Sequence, residues 1–204
     1  MSGITFTKQN PRYTPPSSIN RADLVQDDAK EYNIDILSEC RKADSSALPT
    51  SPDGTNLGII GGTFGTNSPI LEGTDSDGSG AATQSELTRL FFTLPAEYQA
   101  GQTITVRIHS RVDVVRHTAA TVDVICYLAD KEAGIGSDLC TTGAISNNSA
   151  SWADQDFTID PTGLVAGDIL DIEVIGATDD TNAGTGSAGH VEIGAIQVLL
   201  DVKG

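Results

Sequence analysis

The stretch DSDGSGAATQSE at 75–86 comes nearest to a known chemical template. Asp75, Asp77 and Ser79 fall at positions 1, 3 and 5 of a calcium loop, Gly80 at 6 and Glu86 at 12. Calcium takes six to eight oxygens, and this spacing lets one loop wrap one ion. Context argues the other way. A helix should flank each side, whereas Gly73 and Thr74 precede the loop, a strand pattern follows, and Ala82 stands where an aliphatic side chain should pack. A solvated acidic loop is the stronger reading, with Asp75, Asp77, Ser79 and Glu86 kept as a calcium candidate.

A second stretch, GTGSAG at 184–189, has the glycine spacing of a dinucleotide fingerprint. That fingerprint works because a helix N-terminus follows and meets the pyrophosphate. Here the strand-like HVEIGAIQV follows, and Asp179 and Asp180 just upstream would repel phosphate. It reads as a hairpin loop.

No catalytic set assembles. His109, His117 and His190 lack the HxxxH or HxH spacing of a zinc site. Ser187 has Thr185, not glycine, where a nucleophile elbow needs one. Asp154 and Asp156 beside Trp152 have the residue types for cutting a glycosidic bond. A sugar groove normally offers several stacking aromatics, and aromatics make up 5% of this chain. The expectation is a protein without enzymatic activity and without a cofactor.

The elements that would position these residues are strands. Asp and Gly are plentiful and Lys scarce, a balance that favours turns over helices. Extended runs lie at 34–36, 57–64, 86–94, 103–109, 121–128, 156–159, 168–176 and 190–202. Ile104, Val106 and Ile108 share one face against Thr103, Thr105 and Arg107; Leu170, Ile172 and Val174 do the same against Asp171 and Glu173. One dry and one wet face per strand predicts antiparallel sheets stacked as a sandwich. In the last run the apolar parity changes between Ile193 and Ile196, which predicts a bulge near Gly194.

Two segments echo each other, FTLPAEYQAGQTITVRI at 92–108 and FTIDPTGLVAGDILDIEV at 157–174. Phe92 matches Phe157, Pro95 matches Pro161, Gly101 matches Gly167 and Ile104 matches Leu170. Each predicts a strand that stops at proline, crosses a short loop and re-enters through a glycine turn. Eight strands with paired corners favour a jelly roll over an immunoglobulin-like sandwich.

Charge separates an arm from this body. Residues 1–22 carry Lys8, Arg12 and Arg21 and no acid, while 23–204 hold nine basic and 28 acidic groups, a balance of −19. Such a body repels a phosphate backbone, which argues against nucleic-acid binding. No apolar run approaches the length of a membrane span, and the opening residues lack the apolar stretch of a secretory signal. Cys40, Cys126 and Cys140, odd in number and far apart, read as reduced, buried thiols of a protein assembled in a cytoplasm. Pro11, Pro15 and Pro16 predict an extended arm, with Ile4, Phe6 and Tyr13 as apolar anchors and Lys8, Arg12 and Arg21 as charged ones. A short helix is expected over 21–31, capped by Asn20.

With its arm over 1–22, its paired corners at 92–108 and 157–174 and its acidic, loop-rich body, the chain resembles the jelly-roll decoration, or cement, proteins of tailed-bacteriophage capsids. The resemblance implies a structural virion protein on the outer capsid surface, a homotrimer whose arm staples subunits of the major capsid protein. The alternative is a glycan- or receptor-binding sandwich of a phage tail or fibre, using Trp152 with Asn147, Asn148 and Gln155.

Overall fold

The computed structural model describes residues 30–75, 82–115, 119–129, 135–180 and 189–202. Ten strands follow in chain order: β1 (Lys30–Asn33), β2 (Gly58–Ile60), β3 (Ile70–Glu72), β4 (Ala82–Thr93), β5 (Ile104–Val112), β6 (Ala119–Leu128), β7 (Ile145–Ser146), β8 (Ala153–Ile159), β9 (Ile169–Asp180) and β10 (Val191–Leu200). They form two antiparallel sheets stacked as a sandwich. The larger runs β2-β3-β10-β5-β8 with β1 also on β10, and the smaller runs β4-β9-β6-β7. No helix occurs among the described residues.

Period-two alternation builds the core as expected. Along β5, Ile104, Val106, Ile108, Ser110 and Val112 are wholly buried, while Thr105, Arg107, His109 and Arg111 between them reach the surface. Leu90, Val122, Val124, Leu170, Ile172 and Val174 close the core from the smaller sheet. Burying each such side chain contributes about 1.5–3 kcal/mol. The core also takes Cys40 and Cys126, whose thiols burial pushes up to about 11 and about 12. Neither they nor the half-buried Cys140 is in a disulfide.

The echoing segments are two of the corners at which the chain changes sheet. β4 leaves the smaller sheet and passes Pro95 and Gly101 into β5 of the larger. β8 leaves the larger and passes Pro161 and Gly167 into β9 of the smaller. Each loop closes by the same bond three residues after its proline, Tyr98 N to Pro95 O at 2.9 Å and Leu164 N to Pro161 O at 3.1 Å. Tyr98 and Leu164 plug the core beneath. Gly101 and Gly167 have φ of 79° and 91°, a region that favours glycine. The corners also bond to each other, with Leu94 N donating to Asp168 O and Gly167 N to Leu94 O, both at 2.8 Å.

Several expectations need correction. β3 and β7 are additional strands, three and two residues long, too short to leave a periodic signal. The run at 34–36 is not a strand: β1 ends at Asn33, and Asp35 turns the chain by accepting from Leu37 N at 3.0 Å and Ser38 Oγ at 2.6 Å. The arm at 1–22, its boundary with the body, and most of the helix expected at 21–31 lie outside the described residues. The last two residues of that helix, Lys30 and Glu31, are strand instead, paired with Leu200 and Leu199. An open edge of β10 offers their backbone the partners a marginal helix would have had to supply.

Glu97, in the first corner, ties β1 down. It accepts from Lys30 Nζ at 2.5 Å and Tyr32 OH at 2.9 Å. These donors, Lys30 foremost, pull its carboxyl from 4.5 to about 2. A lowered folded-state pKa contributes stability that is present above pH 4.5 and lost as pH falls through 2. Melting temperature is therefore expected to fall less steeply over that window in Glu97→Gln than in the wild type. Parallel acid limbs would show that the contact does not matter.

Candidate functional site

The outer face of the larger sheet carries a ladder of paired charges. β5 turns Arg107, His109 and Arg111 outward, and the register sets Arg107 opposite Asp156, His109 opposite Asp154 and Arg111 opposite Glu192. Arg107 grips Asp156 with two bonds, of 2.7 and 2.8 Å. His109 Nδ1 meets Asp154 Oδ1 at 2.6 Å, and Arg111 Nε meets Glu192 Oε2 at 2.5 Å. Cross-strand pairs of opposite charge each contribute roughly 0.2–1 kcal/mol. Arg107 holds the Asp156 carboxyl below its usual range. A glycosidase acid needs the opposite shift, so Asp156 does not suit that role, and both Asp154 and Asp156 are engaged as rungs of this ladder.

Trp152 lies flat on the ladder. Its ring is parallel to the His109 imidazole, within 6° and 5.3 Å between centroids, and the Arg111 guanidinium sits 4.8 Å from its centroid. The bulge foreseen at Gly194 is present, as a register shift between Ile193 and Ala195, and it has a second purpose. A β-carbon on Gly194 would stand 3.1 Å from Trp152 Cζ3 and 3.3 Å from Cη2. Only glycine lets the indole settle there without displacement. His109, Arg111 and Gly194 all belong to the sheet, so they take the inner face of the indole, and the residue stays 37% exposed.

Beside the indole runs a groove of about 390 Å³, lined by Asn67, Ser68, Pro69, Ile70, Arg111, Trp152, Glu192 and Gly194. Asn67, Ser68 and Pro69 also wall an adjoining hollow of about 560 Å³ on the β2–β3 connection. At its tip Phe64 is fully exposed. The connection is a tight turn, with Asn67 N donating to Thr63 O at 3.0 Å and Gly65 at a φ of 80°. Two aromatic side chains thus border two confluent hollows.

The other expected site residues are placed differently. Gln155 and Asn147, suggested as amides beside Trp152, are both buried, and the Gln155 amide meets Ser110 Oγ at 2.7 Å inside the sandwich. Parity explains it, because Trp152, Asp154 and Asp156 point out and Gln155 points in. Of the calcium candidates, Asp77 and Ser79 lie outside the described residues. Asp75 meets His190 Nδ1 at 2.7 Å. Glu86, 1% exposed, accepts from Gly54 N at 2.7 Å and from the backbone N and hydroxyl of Thr74. Ile4, Phe6, Lys8, Arg12, Tyr13 and Arg21 lie outside the described residues.

Sequence reasoning passed over Arg111 and Glu192. An outward Arg107, His109, Arg111 series was visible in the β5 alternation, but only the register shows what it meets.

No family model matches the sequence, and no curated protein does. Among solved structures, a xylan-binding module, CBM15, aligns over 86% of this chain and 99% of its own, at 13% identity and a TM-score of 0.44. The K3 cleaved adhesin domain of Lys-gingipain from Porphyromonas gingivalis aligns over 83% of this chain and 98% of its own, at 10% identity and a TM-score of 0.41. A family 16 carbohydrate-binding module aligns over 73% and 88%, at 11% identity and a TM-score of 0.38. Likeness at this level leaves ligands and residue roles to be argued from this chain's own surface.

Proposed function

We propose that this chain is a non-catalytic glycan-binding module that receives a sugar chain in the groove beside Trp152. The observation that carries the reading is the indole held flat on the sheet by His109, Arg111 and Gly194 with its outer face open. A fixed aromatic plane offers contact area at little entropic cost, and it suits the apolar C–H face of a pyranose ring. The Arg111–Glu192 pair at the groove wall supplies charged donors and acceptors for hydroxyl groups. Phe64, across the shared wall of Asn67, Ser68 and Pro69, extends the apolar contact to a second ring.

Glycan arrays followed by calorimetry on the best ligand test this. Trp152→Ala is expected to cost about 2 kcal/mol or more, as for a central aromatic anchor, which is roughly thirtyfold in affinity. Melting temperature should hardly change, because the side chain lies outside the core. Failure of the wild type to bind any glycan, or equal binding by the variant, would overturn the reading.

External capsid decoration is the second reading. Its support is the division of charge between a basic segment at 1–22 and the acidic remainder. Deleting residues 2–20 should abolish attachment to shells, and undiminished occupancy would refute it.

A further inference from the structure

Beyond the groove, on the far side of Glu192, the sheet brings together three side chains with the chemistry of a metal site. Glu192 of β10 stands opposite Glu72 of β3 in the register. His190, two residues before Glu192, reaches the same place. Its Nε2 lies 3.6 Å from Glu72 Oε2 and 3.7 Å from Glu192 Oε1, and the three ligand atoms all fall within 4.8 Å of one another. Four ligands arranged tetrahedrally about zinc at 2.0–2.2 Å are separated by roughly 3.4 Å. Small side-chain movements close the difference.

The histidine is oriented for this role. Its Nδ1 is 2.7 Å from Asp75 Oδ1, so with Nδ1 as donor the lone pair stands on Nε2. A carboxylate behind a ligating imidazole fixes both tautomer and ring plane. Nε2 itself is buried and has no hydrogen-bond partner, while facing the two carboxylates. On the other side Arg111 holds Glu192 by Oε2, leaving Oε1 turned toward His190. The His190 backbone is fixed as well, its N–H donating to Asp113 Oδ1 at 2.9 Å.

We infer that Glu72, His190 and Glu192 form a binding site for a divalent transition ion of the zinc class, with Asp75 as the positioning residue behind His190. The donor set selects the ion. One imidazole and two carboxylates suit zinc and its neighbours, whereas calcium wants six to eight oxygens and has no use for the nitrogen. Three protein ligands leave a fourth position for water. The competing account of the cluster is an imidazolium ion held among carboxylates, which needs no metal.

The test uses the full chain stripped with EDTA and titrated with zinc chloride alone, in competition with a chromophoric chelator. One equivalent is expected to bind in the micromolar range or tighter and to raise the melting temperature. Cobalt(II) in its place should give the intense visible bands of a four-coordinate site. Glu72→Gln and His190→Gln should each weaken zinc by at least tenfold, and Asp75→Asn by about 10–100-fold, as outer partners of zinc ligands do. Circular dichroism in EDTA confirms that each variant is folded, and Glu72→Gln guards against a fold defect at His190. Absence of zinc binding, equal binding by both ligand variants, or displacement of zinc by millimolar calcium would overturn the proposal. Glu192 borders the groove as well, but Glu72 and His190 do not line it, so zinc loss in Glu72→Gln and glycan loss in Trp152→Ala are read separately.

Discussion

Glu86→Ala is expected to destabilise the protein by about 2–4 kcal/mol, read as a lower urea midpoint with an unchanged slope. Glu86 sits in β4 on the face that also carries Leu90 and Phe92, so its carboxylate points into the sandwich. There it collects the backbone N–H groups of Gly54 and Thr74 and the Thr74 hydroxyl. Alanine removes the shared acceptor of two backbone donors, on exposed Gly54 and half-buried Thr74, and leaves a void where the buried carboxylate stood. Glu86→Gln keeps one acceptor oxygen and should lose about half as much. The loss should be the same in calcium and in chelator if capping these donors is what the side chain does. A loss below about 1 kcal/mol would mean that the donors find other partners.

Phe157→Ala is expected to cost about 3–5 kcal/mol, a large share of the 5–15 kcal/mol typical of a whole domain. The ring is wholly buried in β8, opposite Val106 of β5, where the larger sheet has only one strand left to close the core. Its loss opens a cavity that the neighbouring backbone, held by ladder bonds, fills poorly. By contrast Val165→Ala, at a site 49% exposed, should change stability by less than about 0.5 kcal/mol. Similar midpoints for the two variants would contradict this assignment of the core.

Much of the fold was legible because alternation along a strand is a local signal. The parity break between Ile193 and Ile196 marked the bulge at Gly194, and the repeated proline and glycine spacing marked two of the sheet-changing corners. β3 escaped because three residues cannot show a period, yet it is the strand that brings Glu72 beside Glu192. The site was much less legible. His190 and Glu192 share a face by their spacing of two, a pattern readable in the sequence, but Glu72 joins them from 118 residues earlier through register alone. Likewise Trp152 carried no hint of the β5 residues below it, because β5 and β8 are joined only by pairing at separations near 45 residues. Amides close to Trp152 in sequence fell inside, while cations far from it fell beneath.

One consequence follows from the direction of β10. Its opening residues, Glu192 and Gly194, border the groove, whereas its last, Leu200, lies beside Lys30, and Val202 pairs with Tyr98 just beyond. Six residues of strand put about 20 Å between Gly194 and Leu200. A fusion partner, a bead or a biosensor chip joined close after Val202 attaches at the pole remote from Trp152.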